Sequence, residues 1–363
     1  MYVGCDATIS NAKFNFTGDE FTSSACVAFQ NGTNGSTIKN CEFIIDKCGT
    51  EGFYCTQAGL KIENSKFDIN VYSQDSGSTP CGFQLTKSFS IDGGTYDLGK
   101  LIKASSANMS IKNATVTANC PSELKLTENS VIDNSTMNLE LSDYGRVTNY
   151  SNNITNTKFN FSGKSVNYPF YSYSEKLTNC NFNFLNFIFN SDDATNSRSG
   201  VYLSSSCTIT NCSFNGATNS IPFVDGSIYS RGGAIYIEFS DENQSVVFEN
   251  CIFSNNKVVN GADVGSVETE TGGGAIAIAF FANNNSVKLK DCSFINNYSN
   301  TGLACHLWAA SKWTSMEEDP TGCSILFSGT NTMTGPSLSE FIPGKTLYKD
   351  EAIYVNGPTL GYY

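Results

Sequence analysis

The chain has 363 residues, 15% of them charged and 40% hydrophobic, which describes a folded protein rather than a disordered one. Its 22 basic and 34 acidic residues leave a net charge of −12, which argues against nucleic acid and anionic membranes, since both call for basic patches. Three arginines (Arg146, Arg198, Arg231) and one histidine (His306) exclude chemistry that needs several imidazoles.

The opening Met1-Tyr2-Val3-Gly4 leads straight into patterned sequence, with neither the basic nor the apolar region of a signal peptide. Two compartments stay open: export by a signal outside this sequence, or the cytosol. The most apolar stretch, Ala275 to Ala282, is too short to span a bilayer, so no transmembrane segment is expected.

One motif then recurs along the chain: a large apolar residue, any residue, Asn or Asp, a small residue, any residue, and a large apolar residue. Its central residues are Asn11, Asn40, Asn64, Asn113, Asn134, Asn156, Asn179, Asn211, Asn250 and Asp291, and Gly93 replaces the asparagine in one further copy. Composition alone predicts about one match to such a template. The distal large residue recurs at intervals of 20 to 41 residues, from Phe14 to Phe294. A floor near 20 with insertions above it suits a solenoid coil of three short strands and three turns.

The phase within the motif locates a corner. Cys41, Phe43 and Ile45, or Thr157, Phe159 and Phe161, alternate as a strand with one buried face. The apolar residue two before the asparagine is out of step with them by one residue, so the chain turns there. Asparagine tolerates the left-handed conformation, and its amide can pair with the asparagines of neighbouring coils. The fold predicted is all-β, a right-handed, single-stranded parallel β-helix of about 11–13 coils. Residues 1–330 form the repeat domain and 331–363 a C-terminal capping segment, which loses the motif.

Five cysteines, Cys41, Cys180, Cys212, Cys251 and Cys292, follow the corner residue directly. The reading favoured is buried, reduced thiols that fill a small-residue position, because parallel side chains point the same way. A disulfide or metal ladder is the alternative. The sequence has no CxxC pair and no Cys/His cluster, so neither a metal nor a cofactor is expected. Thirteen Asn-x-Ser/Thr sequons, Asn113, Asn134 and Asn211 among them, are close to the number that composition predicts. Those on the ladder are expected to be closed to a glycosyltransferase.

Further along, Tyr168, Phe170, Tyr171 and Tyr173 cluster outside the motif and are the candidates for partner contact, since stacked rings hold sugars or proteins. Structural cover between coils is the competing role. Asp192-Asp193 is the one resemblance to a polygalacturonase signature, and it sits in a turn-like stretch. His306 lies in an apolar, strand-like run, and Glu317-Glu318-Asp319 reads as a solvated turn. The scarcity of arginine makes a poor lyase site for acidic polymers. The long loops at 216–232, 257–272 and 309–322 are the expected recognition surface.

Two segments, Gly232-Gly233-Ala234-Ile235 and Gly273-Gly274-Ala275-Ile276, each precede a corner and are followed by Phe253-Ser-Asn-Asn256 and Phe294-Ile-Asn-Asn297. Over about residues 214–330 this GGAI and FxxN pairing resembles the repeats of the chlamydial polymorphic outer-membrane proteins. The resemblance implies a non-enzymatic, adhesin-like protein of the cell surface, with a protein or glycan partner, and transfers no catalytic residue. A polysaccharide-acting enzyme of the pectate-lyase-like class and a structural rod in an intracellular assembly are the alternatives. The repeat also admits lateral or end-to-end self-association.

Overall fold

The computed structural model describes residues 1–17, 25–32, 34–48, 51–71, 81–100, 102–104, 108–120, 123–142, 144–150, 153–165, 168–173, 176–185, 187–189, 199–221, 232–260, 273–299, 307–310, 320–334, 353–356 and 361–362. These residues form short strands that pair in parallel, with no helix among them. Accordingly, among the described residues no helix is long and apolar enough to cross a membrane. The chain falls into two compact units, Met1–Asn160 and Phe161–Tyr363, and each is built of stacked coils of a parallel β-helix.

In the first unit the strand before the corner stacks Ile9, Ile38, Ile62, Ile91, Ile111, Ile132 and Ile154 in register, one per coil. The strand after the corner stacks Phe14, Phe43, Phe67, Tyr96, Val116 and Met137. Ring centroids lie 4.8 Å apart for Phe14 and Phe43, 4.7 Å for Phe43 and Phe67, and 5.5 Å for Phe67 and Tyr96, all stacked. That spacing is the distance between parallel strands, so a ring at one coil meets its equivalent at the next by symmetry of the repeat. A third row, Tyr2–Val3, Val27–Phe29, Glu51–Cys55, Cys81–Leu85 and Ile102–Ala104, closes the interior with Val27, Phe53 and Phe83.

The second unit repeats this plan. Leu177, Ile209, Phe248, Leu289 and Phe327 stack before the corner, and Phe182, Phe214, Phe253, Phe294 and Met333 after it. The rings of Phe182, Phe214, Phe253 and Phe294 stack at 5.0, 5.2 and 4.9 Å. Its third row comprises Phe170–Ser172, Val201–Leu203, Ile235–Phe239, Ile276–Phe280, Leu307–Ala310 and Ile353–Asn356. The described residues past position 330 pair in register with preceding coils: Met333 with Phe294, Val355 with Ala309 and Tyr362 with Ile325.

Candidate functional site

The corners set every surface of this fold. Asn11, Asn40, Asn64, Asn113, Asn134, Asn156, Asn179, Asn211, Asn250 and Asp291 all adopt positive φ, between 45° and 54°, and Gly93 takes 72°. This left-handed step reverses the strand phase, so the residues on both sides of it can face one interior. Amides bridge successive coils: Asn40 donates to Asn11 (3.1 Å), Asn134 to Asn113 (2.8 Å) and Asn211 to Asn179 (3.0 Å). Elsewhere the amide donates to the aspartate preceding the neighbouring corner, Asn113 to Asp92 and Asn156 to Asp133. At Gly94, φ is 95° and an added Cβ would fall 2.0 Å from the Ser65 carbonyl oxygen, so glycine is required there too.

The ladder is not closed to solvent. Asn113, Asn134 and Asn211 are exposed, because the left-handed residue projects outward and hands the inward direction to its successor. Two other sequon residues, Asn149 and Asn297, are the buried ones.

That successor position carries the five cysteines, all buried and none in a disulfide. Size alone does not explain them. Each thiol lies within hydrogen-bonding distance of the carbonyl two residues earlier: Cys41 and Lys39 at 3.2 Å, Cys180 and Thr178 at 3.3 Å, Cys212 and Thr210 at 3.3 Å, Cys251 and Glu249 at 3.4 Å, Cys292 and Lys290 at 3.4 Å. Ser65, Ser135 and Thr157 donate to the equivalent carbonyl at 2.8 Å. The position therefore selects a compact side chain that can donate a second hydrogen bond to a carbonyl that already accepts the corner N–H of the preceding coil, as Lys39 does from Asn11 and Glu249 from Asn211. Hydrogen bonding to the Cys292 sulfur together with burial pushes the Cys251 thiol above its ordinary range, and burial lifts Cys207 to about 12. The Cys251 and Cys207 thiols are thereby held protonated. Cys26, by contrast, is disulfide-bonded.

The aromatic cluster divides. Phe170 points into the coil, fully buried and edge-on to Phe182 at 5.1 Å, so it is withdrawn as a contact residue. Strand alternation turns Phe170 inward and Tyr171 outward. Tyr171 is in register with Tyr202, and Tyr202 with Tyr236, which makes an outward tyrosine row. The centroids of Tyr171 and Tyr202 are 4.4 Å apart, those of Tyr168 and Tyr202 4.7 Å, and those of Tyr202 and Tyr236 5.6 Å. Tyr173 extends the row at 4.9 Å from Tyr171 and shares a hydroxyl hydrogen bond of 3.1 Å with it.

Along the row burial is graded. Tyr236, Ala277 and Ala279 are buried, Tyr202 nearly so, Tyr168 and Tyr171 half-buried, and Tyr173 exposed. Tyr236 donates to the Glu238 carboxylate at 2.9 Å. Burial, reinforced by the Glu238 charge, raises the Tyr202 phenol far above its usual range. Tyr202 and Tyr236 were legible only as strand residues, in Val201-Tyr-Leu203 and Ile235-Tyr-Ile237; their membership of one row depends on register over 31 and 34 residues.

Asp192-Asp193, His306, Glu317-Glu318-Asp319 and most of the three long loops lie outside the described residues. Among the described residues no group of three or more His, Cys, Asp or Glu side chains is placed to hold a metal ion. Compared with family models, curated proteins and solved structures, the chain matches none.

Proposed function

We propose that this protein is a non-enzymatic, adhesin-like binding and display scaffold of the cell surface, in which the β-helix is the rigid support and the outward tyrosine row of the second unit contacts a protein partner. The observation that carries this reading is the graded row itself: Tyr236 and Tyr202 anchor it, and Tyr168, Tyr171 and Tyr173 present ring faces and hydroxyls outward. Tyrosine offers large amphipathic contact area with little rotamer entropy to lose, which is why it is enriched in recognition surfaces. The disulfide at Cys26 supports an oxidising compartment, where such bonds persist.

A second reading, a rod in an intracellular assembly, is favoured by the ten cysteines outside disulfides among the described residues, nine of them buried. Thiol counting on unfolded, unreduced protein separates the two, since export predicts that the Cys26 disulfide survives isolation and the cytosol predicts that every cysteine reacts. For the binding role, the full chain immobilised on beads is offered to cultured cells and to arrays of proteins and glycans. The expected result is capture through a protein, lost in the Tyr171→Ala/Tyr173→Ala double variant while the melting temperature holds. Capture indifferent to that variant sinks the role of the row, and release of oligosaccharide from uronate or neutral polymers makes the protein an enzyme.

A further inference from the structure

The third row of the first unit carries an outward arrangement of a different kind. Tyr2 is in register with Ala28, Ala28 with Tyr54, and Tyr54 with Gln84. Two tyrosines one coil apart would stack on each other. Here an alanine stands between them, so their backbones are two strand spacings apart, about 10 Å. The result is a slot with Tyr2 and Tyr54 as walls and the half-buried Ala28 as floor, and Gln30, Glu51 and Gln84 line the same cavity.

We propose that this slot binds one pyranose unit of a neutral glycan. A six-membered ring midway between the walls lies about 5 Å from each, inside the range of ring stacking. Pyranoses present C–H faces to aromatic walls and hydroxyls at their rims. The rims here meet two amides, each with a donor and an acceptor, and a carboxylate that accepts. Uronates and phosphorylated sugars would set a second negative charge beside Glu51 in a protein of net charge −12, and the one cation lining the cavity among the described residues, the Met1 ammonium, is already engaged by the Cys26 carbonyl at 2.6 Å.

Tyr2 is 62% exposed yet not loose: its hydroxyl accepts a hydrogen bond from the Asn31 amide (3.1 Å), and its ring packs against Gly4, where an added Cβ would fall 3.0 Å from the ring. One wall is thereby positioned before any ligand arrives, which lowers the ordering cost of binding.

The test is titration of the full chain with neutral oligosaccharides (gluco-, galacto-, manno- and xylo-series) and with oligogalacturonate, read by saturation-transfer NMR and calorimetry. At least one neutral series is expected to bind and the uronate is not. Ala28→Leu fills the slot without removing a wall and is expected to weaken binding about tenfold or more, with Tyr54→Ala doing the same. Circular dichroism checks that both variants fold, and either one suffices if the other does not. The Tyr171→Ala/Tyr173→Ala variant is expected to keep full sugar affinity, so this site and the protein-contact row stand or fall separately. Silence from every neutral series, tighter binding of the uronate, or affinity unchanged by Ala28→Leu would overturn the proposal.

Discussion

The two units use one corner chemistry for different ends. In the first unit the intervals between distal core residues are 20 to 29 residues, and the regular left-handed step is the asparagine corner. In the second the intervals between Phe182, Phe214, Phe253 and Phe294 lengthen to 32, 39 and 41 residues, and two further corners per coil become regular. One comprises Gly216, Asn255 and Asn296, the other Asn243, Asn284 and Gly322, all at positive φ. Each is followed by an inward residue: Ala217, Asn256 and Asn297 at one, Gln244, Asn285 and Cys323 at the other. Among these, Asn256 and Asn297 are buried and bridge coils: the Asn256 amide donates to Asn297 and to the Phe214 carbonyl, each at 3.0 Å, and Asn297 donates to the Phe253 carbonyl at 3.0 Å. At this additional corner buried amides take the inward position that thiols and hydroxyls hold at the asparagine corner.

The outer faces differ in the same spirit. Strand alternation forces some residue outward in every third-row strand; the second unit sets tyrosines in three successive coils, Tyr171, Tyr202 and Tyr236, before Ala277 follows, whereas the first places Ala28 between Tyr2 and Tyr54 and opens a slot.

Several measurements sharpen or break this contrast. Phe253, stacked on both sides, is expected to lose about 3–5 kcal/mol of stability as Phe253→Ala by chemical denaturation, and Phe43→Ala in the first unit about the same. Equal losses are the mark of one core geometry in both units. Asn297→Ala strands buried donors and a carbonyl, with an expected loss of about 2–4 kcal/mol, while the exposed Asn40→Ala loses about 1–2 kcal/mol, mainly for the left-handed backbone. If Asn40 proves the costlier, buried amides do not organise the second unit.

The donor role of the thiols predicts that Cys251→Ser keeps stability within about 1 kcal/mol, whereas Cys251→Val, of similar size but without a donor, loses about 1–3 kcal/mol. Reversal of that order would return the position to simple packing. The smallest effect is electrostatic and confined to the first unit. Burial pulls the Glu123 carboxyl upward, but hydrogen bonds from Thr148, Lys125 and Arg146 and the Arg146 charge outweigh it and hold the group below its ordinary 4.5. A lowered folded value means that the unfolded chain binds the proton first, so this stabilisation is complete above 4.5 and disappears as pH falls through the lower folded value. The denaturation midpoints of the wild type and Glu123→Gln should therefore differ at pH 7 and converge toward pH 3.

Much of this architecture was readable in advance because its causes are local. The left-handed step needs Asn, Asp or Gly, and the phase slip around Asn40 or Asn211 is visible within six residues. The second-unit corners at Asn255 and Asn296 were visible only as the FxxN pattern, without their meaning, and Asn243 and Asn284 carry no motif of their own. Size was the legible property of Cys212 or Cys251; the carbonyl to which each donates belongs to the folded corner.

The amino-acid sequence by itself determined where the chain turns and which residues line the coil, since backbone sterics and strand periodicity act over a handful of neighbours. Only the tertiary structure decided which outward side chains meet. Tyr171 joins Tyr202, and Ala28 separates Tyr2 from Tyr54, through a register set across 26 to 31 residues of variable loop, and no local pattern encodes that length.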